Sequence, residues 1–310
     1  MVPASWTHWA DGEPDGGQQH CAMVWGGHGY AWADLGCDQD TSSGGHNILA
    51  LCELGPGPAS HSVLWLGNSY TWRNDVPGLV TALASADGFS LHTESHAESS
   101  WTWKLHASSD ETLSKIRSRK WDSVVLQEQS ERPAQSAEVV CENSVPYLDI
   151  LAKEILDNNP DTMIQFYLTW GRPHGDQEEC DNGLTQFCTY SKMQDALTNT
   201  YSDFACMKAV SRVAPVGEAF RYIHDTESQS TFLSLYADNG GDHHASMAGS
   251  YLSAATHYAA MLNTSVVGNT GEVEGLDTDT ITMLQRVASD TWFSGQWTIE
   301  NGCQQCLCGC

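Results

Sequence analysis

Basic residues are scarce in this chain of 310: 14 lysines and arginines stand against 39 aspartates and glutamates, a formal net charge of −25. Such an acidic chain repels phosphate backbones and anionic membranes, which excludes nucleic-acid binding through a basic patch. Long apolar runs are missing too, and no stretch approaches the roughly 18–20 residues that a membrane span needs. The opening residues, MVPASWTHWADGEPD, have neither the basic start nor the apolar stretch of a secretory signal. Charged residues are only 17% of the chain against 41% hydrophobic, which excludes the disordered class.

Cysteine, by contrast, is abundant. Eleven are scattered from Cys21 to Cys310, a distribution that points to disulfides in an oxidising, extracellular compartment rather than to a zinc module. Cys180 and Cys188 bracket a short polar loop that a disulfide would close, with two buried thiols as the alternative. Four cysteines crowd the last eight residues in a spacing unlike a folded zinc site, so 299–310 is expected to be a frayed Cys-rich tail or the start of a cysteine-rich segment. Asn263-Thr264-Ser265 is a glycosylation sequon, compatible with secretion.

The chain divides by texture. Residues 1–53 are rich in Trp, Gly and His and show almost no helical periodicity. A linker over 54–61 follows, centred on Gly55-Pro56-Gly57-Pro58, residues that break helix and strand alike. From Ser62 strand and helix signals alternate. Strands are expected at Ser62–Leu66, Ser123–Gln127, Met163–Thr169 and Val213–Val216. Helices are expected after a cap at Asn74 or Asp75 (apolar positions Val76, Leu79, Val80 and Leu83), and over Ser136–Asn158, Ser191–Ser211, Ser246–Leu262 and Thr278–Trp292. This order predicts a three-layer α/β/α architecture over 62–298, with a mostly parallel central sheet and the chemistry in the loops at the strands' carboxyl ends.

Two of those loops carry reactive residues. Gly67-Asn68-Ser69 closes the first strand, where a serine hydroxyl is exposed and its backbone N–H lies at a helix N-terminus suited to a developing oxyanion. Asp238-Asn239-Gly240-Gly241-Asp242-His243-His244-Ala245-Ser246 precedes the last strong helix. A histidine backed by an aspartate can take a proton from serine, and two of each compete for the roles here. The bland alternative is a capping loop, with Ser246 as N-cap and Asp242 answering the helix dipole.

The blocks GNSYTWRNDVPGLV, WDSVVLQEQSERPA, YLTWGRPHGD, VAPVGEAFR and DHHASMAGSYLSAA occur in this order. Together they resemble the SGNH (GDSL-type) hydrolase superfamily, in the branch whose first block reads GNS, over about 62–292. The resemblance implies a flavodoxin-like fold and an ester hydrolase in which Ser69 is the nucleophile and His244 the base. The acid usually stands three residues before that histidine, where this chain has Gly241, so Asp242 is expected to substitute, with Asp238 as the alternative. The implied oxyanion hole is the Ser69 N–H, a backbone N–H of the Ser99-Ser100-Trp101 loop (Ser100 standing where relatives have glycine) and Gln129 where many have asparagine. Trp170 and Arg172 are expected to border the cleft, Trp170 stacking on a sugar or packing in the core, and Arg172 orienting substrate or pairing with a buried carboxylate.

Residues 1–53 resemble the second half of a C-type lectin domain, through Trp9–Asp15, Cys21, Trp32-Ala33-Asp34, Cys37 and Leu51-Cys52-Glu53. Carried over, Glu13, Asp15 and Asp34 would be calcium ligands, with Ala33 one oxygen short, so a structural remnant is expected in preference to a working calcium site. The missing first half implies that Met1 stands inside a longer protein. The leading expectation is a secreted serine esterase that needs no cofactor and deacylates carbohydrate or a small ester. An inactive scaffold with a sugar-binding role is the first rival, and a metal-dependent phosphoesterase using Asp238, Asp242, His243 and His244 the second.

Overall fold

The computed structural model describes residues 60–208, 211–271, 273–294, 297 and 308, together with the strands 21–25, 31–35 and 50–51. The chain falls into two compact units, Met1–Ala59 and Ser60–Cys310. In the first unit β1 (Cys21–Trp25), β2 (Ala31–Leu35) and β3 (Ala50–Leu51) form an antiparallel sheet in the order β2-β1-β3. This sheet falls in the segment whose sequence shows almost no helical periodicity. Asp34 lies on β2, whereas Glu13 and Asp15 fall outside the described residues.

The second unit is built on five parallel strands: β4 (Ser60–Gly67), β5 (Ser90–Ala97), β6 (Ser123–Leu126), β7 (Met163–Tyr167) and β8 (Ser211–Ala214). They run in the order β5-β4-β6-β7-β8. Central strands read as unbroken apolar runs because both faces are covered. On β4, Val63 and Trp65 enter one core while Leu64 and Leu66 enter the other. Helices α2 (Val76–Ala86), α9 (Val216–Thr226), α10 (Gln229–Ser234), α11 (Met247–Leu262) and α12 (Thr278–Phe293) contribute to the first. Helices α3 (Trp103–Ala107), α4 (Asp110–Arg117), α5 (Ala137–Asn143), α6 (Val145–Asn158) and α8 (Tyr190–Cys206) contribute to the second. The three-layer α/β/α architecture expected from the alternation is present. Short helices α1 (Ser69–Trp72) and α7 (Gln177–Asp181) lie in loops after β4 and β7. Among the described residues no helix is long and apolar enough to cross a membrane.

Several boundaries differ from the sequence expectation. The single helix over Ser136–Asn158 is two, α5 and α6, broken at Ser144. Pro146, inside the first turn of α6, has no N–H to give and its ring would crowd the carbonyl four residues earlier. The last strand is Ser211–Ala214 rather than Val213–Val216, since Pro215 ends it and Val216 already opens α9. Strand β5 was not foreseen. Its sequence SLHTESHA is polar because it is an edge strand with exposed positions, and polar side chains are what keep such edges from pairing with other chains.

Cys180 and Cys188 form a disulfide, as the sequence suggested, and a second links Cys141 on α5 to Cys308. Cys308 is thereby tied to α5, and the other residues of the expected Cys-rich tail lie outside the described residues. Cys206 at the end of α8 is disulfide-bonded as well.

Candidate active site

Strand β4 ends in Gly67, and the chain turns at once into α1. The turn is possible because Gly67 has no side chain: a Cβ there would lie 2.3 Å from Thr71 Oγ1 and 2.7 Å from Gln127 Oε1. Asn68 organises the turn with three groups. Its side-chain Oδ1 accepts from Tyr70 N (3.1 Å), its Nδ2 donates to the Trp101 carbonyl (3.0 Å), and its backbone N–H donates to Gln127 Oε1 (2.8 Å). Ser69, at the first position of α1, is thereby left half-buried with its hydroxyl facing the loop before α11.

His244 Nε2 lies 2.9 Å from Ser69 Oγ. Its Nδ1 lies 2.8 Å from Asp242 Oδ1, which also accepts the His244 backbone N–H at 3.0 Å. With Nδ1–H donating to the carboxylate, the Nε2 lone pair is directed at the serine hydroxyl. Arg73 Nη1 holds the other carboxylate oxygen, Oδ2, at 3.1 Å. Partial burial works against the charged form of Asp242, but the His244 N–H and ring and the charges of both histidines outweigh it and hold the carboxyl well below the usual range. Asp238 sits one turn earlier in a left-handed conformation (φ 52°), its carbonyl accepting from Gly241 N. The structure therefore brings Ser69, His244 and Asp242 together, and Asp238 is not the residue that backs His244.

The loop carrying these groups is pinned to the nucleophile turn. The His243 carbonyl accepts from Tyr70 OH (3.1 Å) and Trp170 Nε1 (3.0 Å), and Asn74 Nδ2 donates to the Ala245 carbonyl (3.2 Å) and Ser250 Oγ (2.9 Å). Trp170 is fully buried and stacked on Tyr70 at 4.4 Å and on Phe220 at 4.6 Å. Both ring faces are covered, which removes Trp170 as a sugar platform and assigns it to the core. Arg172 pairs with Glu131 and Asp176, so it takes the ion-pair role of its two expected ones. His243 stacks on His244 at 4.4 Å, and its pKa is lowered to about 4 by burial and then by the charges of His244 and Arg172.

On the far side of Ser69, Trp101 N donates to the Glu98 carbonyl and Ser100 has φ 63°. A turn with positive φ at its third residue favours glycine. Ser100 thus occupies a glycine-type conformation. Gln129 Oε1 accepts from Glu131 N and Arg132 N, each at 3.0 Å, which fixes the amide orientation, and its Nε2 lies 3.5 Å from Ser130 Oγ as a donor. Ser100 and Gln129 line one cleft of about 510 Å³ with Thr102, Glu131, Arg132 and Glu179, and Val139 is the one aliphatic side chain on its wall.

Sequence reasoning missed Tyr70, Arg73, Gln127 and His106. The His106 Nε2–H donates to the Gly67 carbonyl at 2.8 Å, and burial lowers the ring's pKa to about 4, which keeps it neutral. Arg73 and Tyr70 stood inside a quoted block, but only their contacts across the fold reveal a role. One cluster among the described residues, Asp242, His243 and His244, brings three potential metal-donor atoms within 4.8 Å of one another. Both ring nitrogens of His244 are already engaged there, by Ser69 and Asp242, and Asp238 is not part of the cluster.

No family model matches the chain, and no curated protein does. Among solved structures it is similar to a DUF4886 family protein from Bacteroides uniformis, at 17% identity and a TM-score of 0.62, covering 78% of this chain and 98% of that one. It also matches a putative GDSL-like lipase from Parabacteroides merdae (13% identity, TM-score 0.43, 65% and 94% covered). An acetyl xylan esterase from Geobacillus stearothermophilus matches at 15% identity and a TM-score of 0.42, over 70% and 97% of the two chains. The first of these likenesses shows the fold.

Proposed function

We propose that this protein is a serine esterase of SGNH type that hydrolyses carboxylic esters through an acyl-enzyme. The observation that carries the reading is the 2.9 Å contact between Ser69 Oγ and a His244 ring whose other nitrogen is held by Asp242. In the first step His244 Nε2 takes the hydroxyl proton as Ser69 Oγ bonds to the ester carbonyl carbon. The resulting oxyanion is met by the Ser69 N–H, the Ser100 loop N–H and the Gln129 amide. As the oxyanion collapses, the bond to the alkoxy oxygen breaks and His244 returns the proton to the leaving alcohol. Water then repeats the sequence on the acyl-enzyme, releasing the acid and free serine. Asp242 stays ionised throughout and stabilises the transient imidazolium, a role that its depressed pKa supports.

The substrate we infer is a small acyl group on a carbohydrate or other polar alcohol. The cleft lined by Ser100 and Gln129, with Ser69 and His244 outside its lining, is walled by polar and charged side chains that offer little to a long acyl chain and many partners to hydroxyls. The likeness of 1–53 to part of a lectin supports a glycan from sequence alone, and the disulfides support an extracellular setting.

Hydrolysis of p-nitrophenyl acetate by the wild type and by Ser69→Ala tests the reading. Turnover by the wild type, unaffected by chelator and reduced about 10³-fold or more in the variant, is expected. Equal slow turnover by both proteins would show an inactive scaffold. Loss with chelator but not with a fluorophosphonate would move the chemistry to the Asp242, His243 and His244 donors.

A further inference from the structure

Glu128 stands between two glutamines at the end of β6 and has no solvent exposure. A buried carboxyl is costly unless it is bound, and the partners of this one are informative. Its Oε1 accepts from Gln129 N at 2.7 Å and from Trp103 N at 3.0 Å. These donors belong to different parts of the chain. Trp103 opens α3, three residues after Ser100, and Gln129 carries the amide that faces the same cleft.

Glu128 itself is immobilised. Its N–H donates to Tyr201 OH at 3.2 Å, and its carbonyl accepts from Gln127 Nε2, the amide whose oxygen holds Asn68 N and Thr71 Oγ1. The bracket therefore reaches back to the nucleophile turn. Glu128 Oε2 is buried with no hydrogen-bond partner among the described residues, and the buried Ser144 hydroxyl faces the carboxyl. Burial pushes the carboxyl up to about 7, against the two N–H groups that favour its charged form. A group kept under such conditions has a cost that packing alone does not explain.

We propose that Glu128 is a positioning residue: by accepting the Trp103 and Gln129 N–H groups on one oxygen, it ties the Ser100 loop to the Gln129 loop and sets the spacing of the two oxyanion donors. The inference rests on the esterase reading of the site, and its structural half is independent of turnover. Ser69 and His244 are held by other groups, so loss of the bracket leaves the nucleophile and base in place while the donors drift apart. A displacement of about 1 Å in such a group costs about 10²-fold in rate.

The test compares Glu128→Ala, Glu128→Asp and Glu128→Gln with the wild type in ester kinetics and in hydrogen–deuterium exchange of 98–104 and 128–132. Glutamine can offer one oxygen to both N–H groups and its NH₂ to Ser144, whereas aspartate is a methylene too short to span them. We expect kcat to fall about 10–100-fold in the alanine and aspartate variants with KM within about threefold, and glutamine to restore kcat to within about fivefold of the wild type. Exchange should quicken in both segments together in the alanine and aspartate variants and in neither with glutamine. Exchange that quickens in one segment alone, or in none, overturns the bracket whether or not the protein hydrolyses esters. Coupled loosening with unchanged kcat overturns its link to the oxyanion donors. If Glu128→Ala does not fold, the aspartate and glutamine pair decides the question. Coupled loosening in the alanine and aspartate variants, with a wild type that lacks Ser69-dependent turnover, would sink the esterase reading and, with it, the positioning role.

Discussion

On one flank of Ser69, side chains from the nucleophile turn and a neighbouring loop reach across to the backbone of the His244 loop: Tyr70 and Trp170 grip the His243 carbonyl, and Asn74 grips that of Ala245. On the other flank the Ser100 turn holds a serine at φ 63°, and its neighbour α3 is linked to Gln129 through the buried Glu128. The base side is thus fixed by side chains gripping two of its carbonyls, while on the oxyanion side Asn68 Nδ2 holds the Trp101 carbonyl and one buried carboxyl links α3 to Gln129. The difference predicts graded losses on the first side and sharp ones on the second, apart from the residues in the Ser–His–Asp chain itself.

The largest effect tests that exception. Asp242→Asn should lower kcat about 10⁴-fold, because the amide can hold His244 in the wrong tautomer, whereas Asp238→Asn should leave it unchanged. The same variant has a pH signature. A carboxyl held below its usual range in the fold contributes stability that is complete at neutral pH and is lost as pH falls through its depressed value. Urea melts between neutral and strongly acid pH should show that fall steeper in the wild type than in Asp242→Asn. Next comes Gln129→Ala, for which steady-state kinetics should show a kcat loss on the order of 10²–10³-fold with little change in KM.

Trp170→Phe keeps the stack and removes one bond to the His243 loop, worth about 1 kcal/mol, so kcat should drop only about fivefold while Tyr70 keeps its grip. A rise in KM confined to sugar esters would instead return Trp170 to the substrate. Ser100→Gly should be the mildest change. It relieves a left-handed serine and should raise Tm by about 2–4 °C, for about 1 kcal/mol, with activity retained. A lowered Tm would show that the serine side chain itself supports the turn.

The central strands, the helix after the Asp75 cap and the ends of α11 and α12 were legible because apolar periodicity reports burial directly. Edge strand β5 was not, since its solvent face carries the polar residues that periodicity counts as loop. The break at Ser144 was readable in Pro146 but was outweighed by the apolar repeat on either side. In the site, the choice of His244 with Asp242 came from the resemblance to a family, whereas the Ser69 turn and the Asp238–Ser246 loop were legible from local order along the chain. Arg73, Gln127, His106 and Glu128 were not, because each acts through a contact 25 or more residues away that no spacing records. Trp170 was readable only as an alternative, and its stacking between Tyr70 and Phe220 decides it.

Covalent labelling reads the central claim most directly. Treated with a fluorophosphonate and digested, the wild-type protein should carry a single phosphonyl adduct on the peptide containing Ser69, and His244→Ala should carry none on the same timescale. An unlabelled wild-type protein, or an adduct on another serine, would contradict the account.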